Sequence, residues 1–163
     1  MECINELSNI HGILPGVGTV TTADDVRQAV NAGAEFIVSP ITKKELIDTS
    51  HELDKPIFSG AFTPGEICLA HELGADVVKV FPADTLGMKY IKAVKAPFPD
   101  IKLMPTGGVN ATNIEQWFDM GADCVGIGSC FTKDSIIANE DWPRQTSRTK
   151  ELVNNLEHYF ETR

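Results

Sequence analysis

Three times in this chain a Gly-Ala-acid triplet opens an apolar run: Gly33-Ala34-Glu35-Phe36-Ile37-Val38, Gly74-Ala75-Asp76-Val77-Val78 and Gly121-Ala122-Asp123-Cys124-Val125. A glycine closing a helix supplies the left-handed conformation its C-terminus needs. Two residues then turn the chain, and a β-branched or aromatic run starts a strand. Joints of this kind, recurring every few tens of residues, describe βα units. Further strands are predicted at Ile13–Val20, Pro56–Ser59 and Ile101–Met104, and helices at Lys43–Leu53, Pro64–Leu73, Met88–Lys95 and Thr112–Met120. Thr21 to Asp25 has capping chemistry for one more helix, which Gly33 ends. The count is six strands, each followed by a helix, with no two-residue hairpin between any pair. That pattern makes a parallel sheet of α/β class.

The 163 residues suffice for one domain with a real core, and no low-complexity or Ser/Pro-rich linker divides them. A polar-faced terminal helix is expected over 142–163, carrying Leu152, Val153, Leu156, Tyr159 and Phe160 across the outside. At the other end Ile4, Leu7 and Ile10 look like the tail of an uncapped helix, so the chain is expected to open inside one. The net charge of −9 argues against a broad basic surface for nucleic acid. It leaves room for one small phosphate held by backbone N–H groups. No stretch is long enough to span a membrane, and the N-terminus lacks the pattern of a leader. Cys3, Cys68, Cys124 and Cys130 form no C-x-x-C pair, and they read as reduced, mostly buried thiols of a cytoplasmic protein.

The chemistry gathers around Asp76-Val77-Val78-Lys79-Val80-Phe81-Pro82-Ala83. A lysine in such a run is costly, because a desolvated ammonium loses hydration worth about 2–5 kcal/mol. Lys79 either snorkels to water from a strand end or is a nucleophile whose burial keeps the amine neutral. Strand alternation points Val77, Lys79 and Phe81 one way and Val78 and Val80 the other. On the interior side of a barrel, Lys79 would face an enclosed space beside Phe81.

Ligands of parallel βα arrays bind at the carboxyl ends of the strands. The six strands run out, in order, into Gly18-Thr19, Ser39-Pro40, Gly60, Phe81-Pro82, Pro105-Thr106-Gly107-Gly108 and Gly126-Ile127-Gly128-Ser129. One glycine pair is only a turn. Two glycine loops on the last two strands favour a phosphate site, where missing side chains let backbone approach an anion. Glu66, at capping-box spacing from Thr63, reads as a helix cap. His11, His51, His71 and His158 read as surface or satisfied residues without a metal role. Glu2, Glu6, Asp24 and Asp25 read as solvated, and Pro105 as a turn residue.

Five stretches in order resemble one family: Gly16-Val17-Gly18-Thr19-Val20, Phe36-Ile37-Val38-Ser39-Pro40, Val78-Lys79-Val80-Phe81-Pro82-Ala83, Pro105-Thr106-Gly107-Gly108-Val109 and Gly126-Ile127-Gly128-Ser129. The family is the 2-keto-3-deoxy-6-phosphogluconate aldolases, including the bifunctional 4-hydroxy-2-oxoglutarate aldolases. The resemblance implies a (β/α)8 TIM-type barrel, a homotrimer, and a metal-independent class I aldolase needing no cofactor. It implies a small phosphorylated 2-keto acid as substrate and Lys79 as the Schiff-base residue. Thr19, Pro40 and Phe81 would line the pyruvyl pocket, and Thr106 would meet the substrate carboxylate. Gly107, Gly108, Gly128 and Ser129 would hold the phosphate. The family's general acid/base glutamate lies on a strand that has no counterpart here, so a barrel incomplete at its N-terminal side and a weak aldolase are the expectation. Departures are Ile41 after Pro40, where many members have glycine, and Cys130 after Ser129, where many have an aromatic. A phosphate-binding barrel enzyme without covalent chemistry, and a non-catalytic fragment, remain the alternative readings.

Overall fold

The computed structural model describes residues 2–128, 131 and 139–162. After a first helix, α1 (Glu2–Ser8), strands and helices alternate: β1 (Gly16–Val17), α2 (Ala23–Asn31), β2 (Phe36–Val38), α3 (Lys44–Glu52), β3 (Ile57–Ala61), α4 (Pro64–Glu72) and β4 (Val77–Val80). Then come two helices, α5 (Ala83–Leu86) and α6 (Met88–Lys95), before β5 (Leu103–Pro105), α7 (Ile114–Asp119) and α8 (Trp142–Glu161). The five strands pair in chain order, every pair parallel. This is the order that a βα barrel requires.

The sheet has two faces, as the alternation demands. Ile37, Ile57, Val78, Val80 and Leu103 are buried against the helices, where Leu46, Ile47, Ile67, Ile91 and Ile114 meet them. Phe36, Val38, Phe58, Val77 and Lys79 are only partly buried and face the interior. On the outside, α8 buries Leu152, and Tyr159 Oη donates to Asp119 Oδ1 of α7 at 2.8 Å.

Several expectations are corrected. The strand over Ile13–Val20 shrinks to Gly16–Val17. The sixth strand is, among the described residues, a single parallel bridge between Thr106 and Gly126. Pro105 is no turn residue: it is buried in β5 opposite Val80. Its missing N–H is tolerable there because its carbonyl carries the pairing, accepting from Gly126 N at 2.9 Å. Asp25 is not simply solvated, since its carboxylate accepts from the N–H groups of Thr21 and Thr22 and completes a capping box with Thr22. None of the three described thiols is fully buried, and Cys3 is exposed.

Gly33, Gly74 and Gly121 all take the left-handed conformation, at φ 99, 97 and 97°. The acid two residues on does a job of its own. Asp76 Oδ2 accepts from Ile57 N at 2.8 Å, and Asp123 Oδ2 accepts from Leu103 N at 2.8 Å. The same two residues donate their own N–H groups back, Asp76 N to Ile57 O and Asp123 N to Leu103 O. Each acid therefore ties the start of its strand to the start of the strand before it. His51 Nε2 lies 3.0 Å from Asp76 Oδ2, and Lys95 Nζ 2.7 Å from Asp123 Oδ2.

Asp76→Ala should cost about 1–3 kcal/mol, the penalty of a buried N–H left unpaired at Ile57. Burial alone would raise the Asp76 carboxyl, but the bonds from His51 and Ile57 outweigh it and hold the group below its ordinary 3.8. A depressed carboxyl contributes stability that is fully present above 3.8 and is lost as pH falls through the folded value. Urea unfolding of both proteins at pH 7 and pH 3 should show the gap shrinking at pH 3.

Candidate active site

Lys79 is the third residue of β4, in register with Gly60 of β3 and Met104 of β5. Its neighbours Val78 and Val80 are 1% and 0% exposed on the helix side, so Lys79 must face the interior. There it opens on a cavity of about 720 Å³, walled by Phe36, Phe58, Val77, Met104 and Thr106. Among the described residues no carboxylate pairs with its amine. Desolvation by the surrounding apolar wall pushes the amine below its ordinary 10.5. The Phe81 ring centroid lies 4.7 Å from Nζ. That ring favours the charged form by about 0.5–1 kcal/mol and so opposes the desolvation. A neutral primary amine in an apolar cleft is a nucleophile for carbonyl carbon.

Thr106 follows β5 and bridges to Gly126. Its Oγ1 is buried and has no hydrogen-bond partner among the described residues. A hydroxyl left unpaired beside a cavity is what a bound acceptor would satisfy. Gly126 makes this placement possible, since a Cβ there would lie 2.3 Å from Thr106 Oγ1. Gly128 lines the same cavity, and Ser129 lies outside the described residues.

Gly107 and Gly108 both have positive φ, 106 and 74°. Their side-chain positions face α5: a Cβ at Gly108 would lie 2.8 Å from Asp84 Cβ, and one at Gly107 would lie 3.2 Å from Asp84 Oδ1. Asn113 Nδ2 donates to Gly108 O at 2.9 Å and fixes the loop from the other side. Sequence reasoning passed over α5 and Asp84. The available signal was Pro82 with an acid two residues on, a helix-start pattern.

Phe81 and Pro40 line a second cavity of about 370 Å³ at the carboxyl end, with Gly60 and Glu66. Phe81 is 40% exposed and joins the two cavities through its contact with Lys79. Glu66 is a helix cap: its carboxylate takes the N–H groups of Thr63 and Phe62, and those bonds hold it below its usual range. Thr19 is exposed after β1 and contributes to neither cavity wall. Its φ of 63° is a left-handed conformation that β-branched residues rarely adopt.

Comparison with known proteins meets this geometry. The family described as KDPG and KHG aldolase matches residues 1–147. The chain belongs to this family. It is 32% identical over 147 residues to a 2-dehydro-3-deoxy-phosphogluconate aldolase of Haemophilus influenzae, covering 90% of this chain and 69% of that protein. It is 37% identical over 117 residues to a 2-dehydro-3-deoxy-6-phosphogalactonate aldolase of Escherichia coli, covering 71% of this chain and 57% of that relative. The chain thus spans 57% to 69% of these two relatives' length. A solved KDPG aldolase from Legionella pneumophila superposes with a TM-score of 0.80 at 32% identity, over 88% of this chain and 71% of that one. That structure holds pyruvate captured as a covalent carbinolamine. The KDPG/KHG aldolases are lyases on a (β/α)8 barrel, and the parallel sheet here is part of that barrel.

Proposed function

We propose that this protein is a class I aldolase that cleaves 2-keto-3-deoxy-6-phosphogluconate to pyruvate and glyceraldehyde 3-phosphate. The observation that carries the reading is Lys79: an amine on the interior face of its strand, opening on a cavity of about 720 Å³, lowered by desolvation and with no carboxylate partner among the described residues. Its neutral Nζ attacks the C2 ketone to give a carbinolamine, which loses water to form an iminium. A base takes the C4 hydroxyl proton, the C3–C4 bonding pair moves into the iminium, and the aldehyde leaves. The resulting enamine is protonated at C3, and water releases pyruvate and the free lysine. Thr106 Oγ1, unpaired in the cavity wall, binds the pyruvyl carboxylate. Pro40 and Phe81, which line the second cavity, shape the pyruvyl end, and Gly107, Gly108, Gly128 and Ser129 hold the phosphate. The carboxylates that line the two cavities, Asp123 and Glu66, are committed to backbone N–H groups, so neither is assigned as the C4 base.

The phosphogalactonate epimer and 4-hydroxy-2-oxoglutarate share the pyruvyl half and are the next substrates in this reading; the Escherichia coli relative's name supports the first. The assembly is a homotrimer. The described thiols are all free, which suits a cytoplasmic setting.

Pyruvate with borohydride tests the Schiff base. Hydride reduces the iminium to a stable secondary amine, which mass spectrometry of the digest locates. Modification at Lys79 is the expected result. An adduct elsewhere sinks the assignment, and none at all favours a non-covalent phosphate-binding enzyme.

A further inference from the structure

The second cavity, which Phe81 connects to Lys79, is walled in part by a peptide bond, and a small hydroxyl network holds it there. Gly60 and Lys79 are register partners, so both face the interior. A Cβ on Gly60 would lie 2.1 Å from Pro40 C and 2.2 Å from Pro40 O. The Pro40–Ile41 peptide therefore occupies the place of the missing side chain, one strand from the nucleophile. Three hydroxyls fix the turn that carries this peptide. Ile41 N donates to Ser39 Oγ at 3.2 Å, and Ser59 Oγ donates to Ile41 O at 3.3 Å. Thr42 Oγ1 donates to Gly60 O at 2.9 Å and lies 3.3 Å from Ser59 Oγ. Ser39 and Ser59 are fully buried, where a hydroxyl is tolerated only if it is bonded. Thr42 is the hub: its hydroxyl ties the loop to the strand under it and sits beside Ser59 Oγ, whose one proton can turn to Thr42 Oγ1 in place of Ile41 O.

We propose that Thr42, with Ser59, is a positioning residue that sets the keto-acid pocket by pressing the Pro40–Ile41 peptide onto Gly60. This rests on the Schiff-base reading of Lys79. Ser59 lines neither cavity, and Thr42 lines the second one beside Pro40 and Phe81. Their effect passes through Pro40, whose displacement would open the wall against which the bound keto acid is held. A looser wall weakens binding of the keto acid and leaves the amine's own chemistry alone.

Thr42→Val keeps the shape and removes the hydroxyl, while Thr42→Ser keeps the hydroxyl. In the borohydride assay, Thr42→Val should raise the half-saturating pyruvate concentration about three- to tenfold, the scale of one to two net hydrogen bonds. Labelling of Lys79 at saturating pyruvate should stay unchanged, and Thr42→Ser should restore the half-saturation. Gly60→Ala, which displaces the peptide directly, should shift half-saturation in the same direction and further. Equal half-saturation in Thr42→Val and the unsubstituted protein overturns the proposal. So does a shift that Thr42→Ser fails to restore, or a loss of saturating labelling that tracks a lowered melting temperature. Absence of a Lys79 adduct in the unsubstituted protein overturns the Schiff-base reading first and this inference with it.

Discussion

Lys79→Met should abolish the pyruvate adduct and raise the melting temperature in the same step. The two effects have one cause. In the Schiff-base reading, the apolar wall that lowers the Lys79 amine favours the reactive free base and disfavours the folded, charged form. A thioether of similar length fills the space without a charge to desolvate. For a chain of this size each kcal/mol relieved raises the melting temperature by about 2–4 °C. The sign is fixed by linkage. The folded amine is depressed below 10.5, so its penalty is full at pH values under the folded value and is relieved as pH rises toward 10.5. The advantage of Lys79→Met should therefore be widest near neutrality and narrow on the alkaline side. Adduct formation by the unsubstituted protein should accelerate with pH over the range in which the amine loses its proton. Lys102 lines the same cavity but is exposed at the amino end of β5, which makes it the internal control. If labelling persists in Lys79→Met, or moves to Lys102, burial was not what selected the nucleophile.

The parts of the fold legible in the sequence were those fixed by short-range chemistry. Gly33, Gly74 and Gly121 could be read as helix ends because a left-handed residue is a local requirement. The capping box at Thr63 and Glu66 could be read for the same reason. Period-two alternation set Lys79 on the face opposite Val78 and Val80, and the burial of those two valines makes its face the interior one. What escaped depended on partners distant in sequence. Pro105 looked like a turn residue until its pairing with Val80 was seen. Asp76 and Asp123 were noticed as parts of a repeat, yet their role needs the strand starts at Ile57 and Leu103, each about 20 residues upstream. The Thr42–Ser59 network also joins residues 17 apart. The glycine loop was read as open backbone for an anion, and Asp84 on α5 proved to fill one side of it. The lysine and its face of the strand were therefore legible, while the walls that shape the cavity were not. Those walls are built from backbone and small side chains that carry little signal of their own.

Gly126→Ala should then weaken pyruvate trapping at Lys79 about 10–100-fold, although residue 126 carries no reactive group. A Cβ there would lie 2.3 Å from Thr106 Oγ1 and 3.1 Å from both Cβ and Cγ2 of Thr106. Rotating the threonine cannot clear all three atoms, and β-branching leaves it few rotamers. Nor can residue 126 easily withdraw, since its N–H donates to Pro105 O at 2.9 Å. The strain must move Thr106, and a misplacement of about 1 Å in a positioning group can lower a rate about a hundredfold. Overpacking should also lower stability by about 1–3 kcal/mol. Adding Thr106→Ala to Gly126→Ala separates the two consequences. The double variant removes two of the three close atoms, Oγ1 and Cγ2, and should regain most of the melting temperature, but it lacks the hydroxyl and should trap pyruvate as poorly as the single variant does. Recovery of both would show that residue 106 serves only as packing beside Gly126, and the carboxylate contact would have to be sought in the backbone N–H groups of the loop that begins at Gly107.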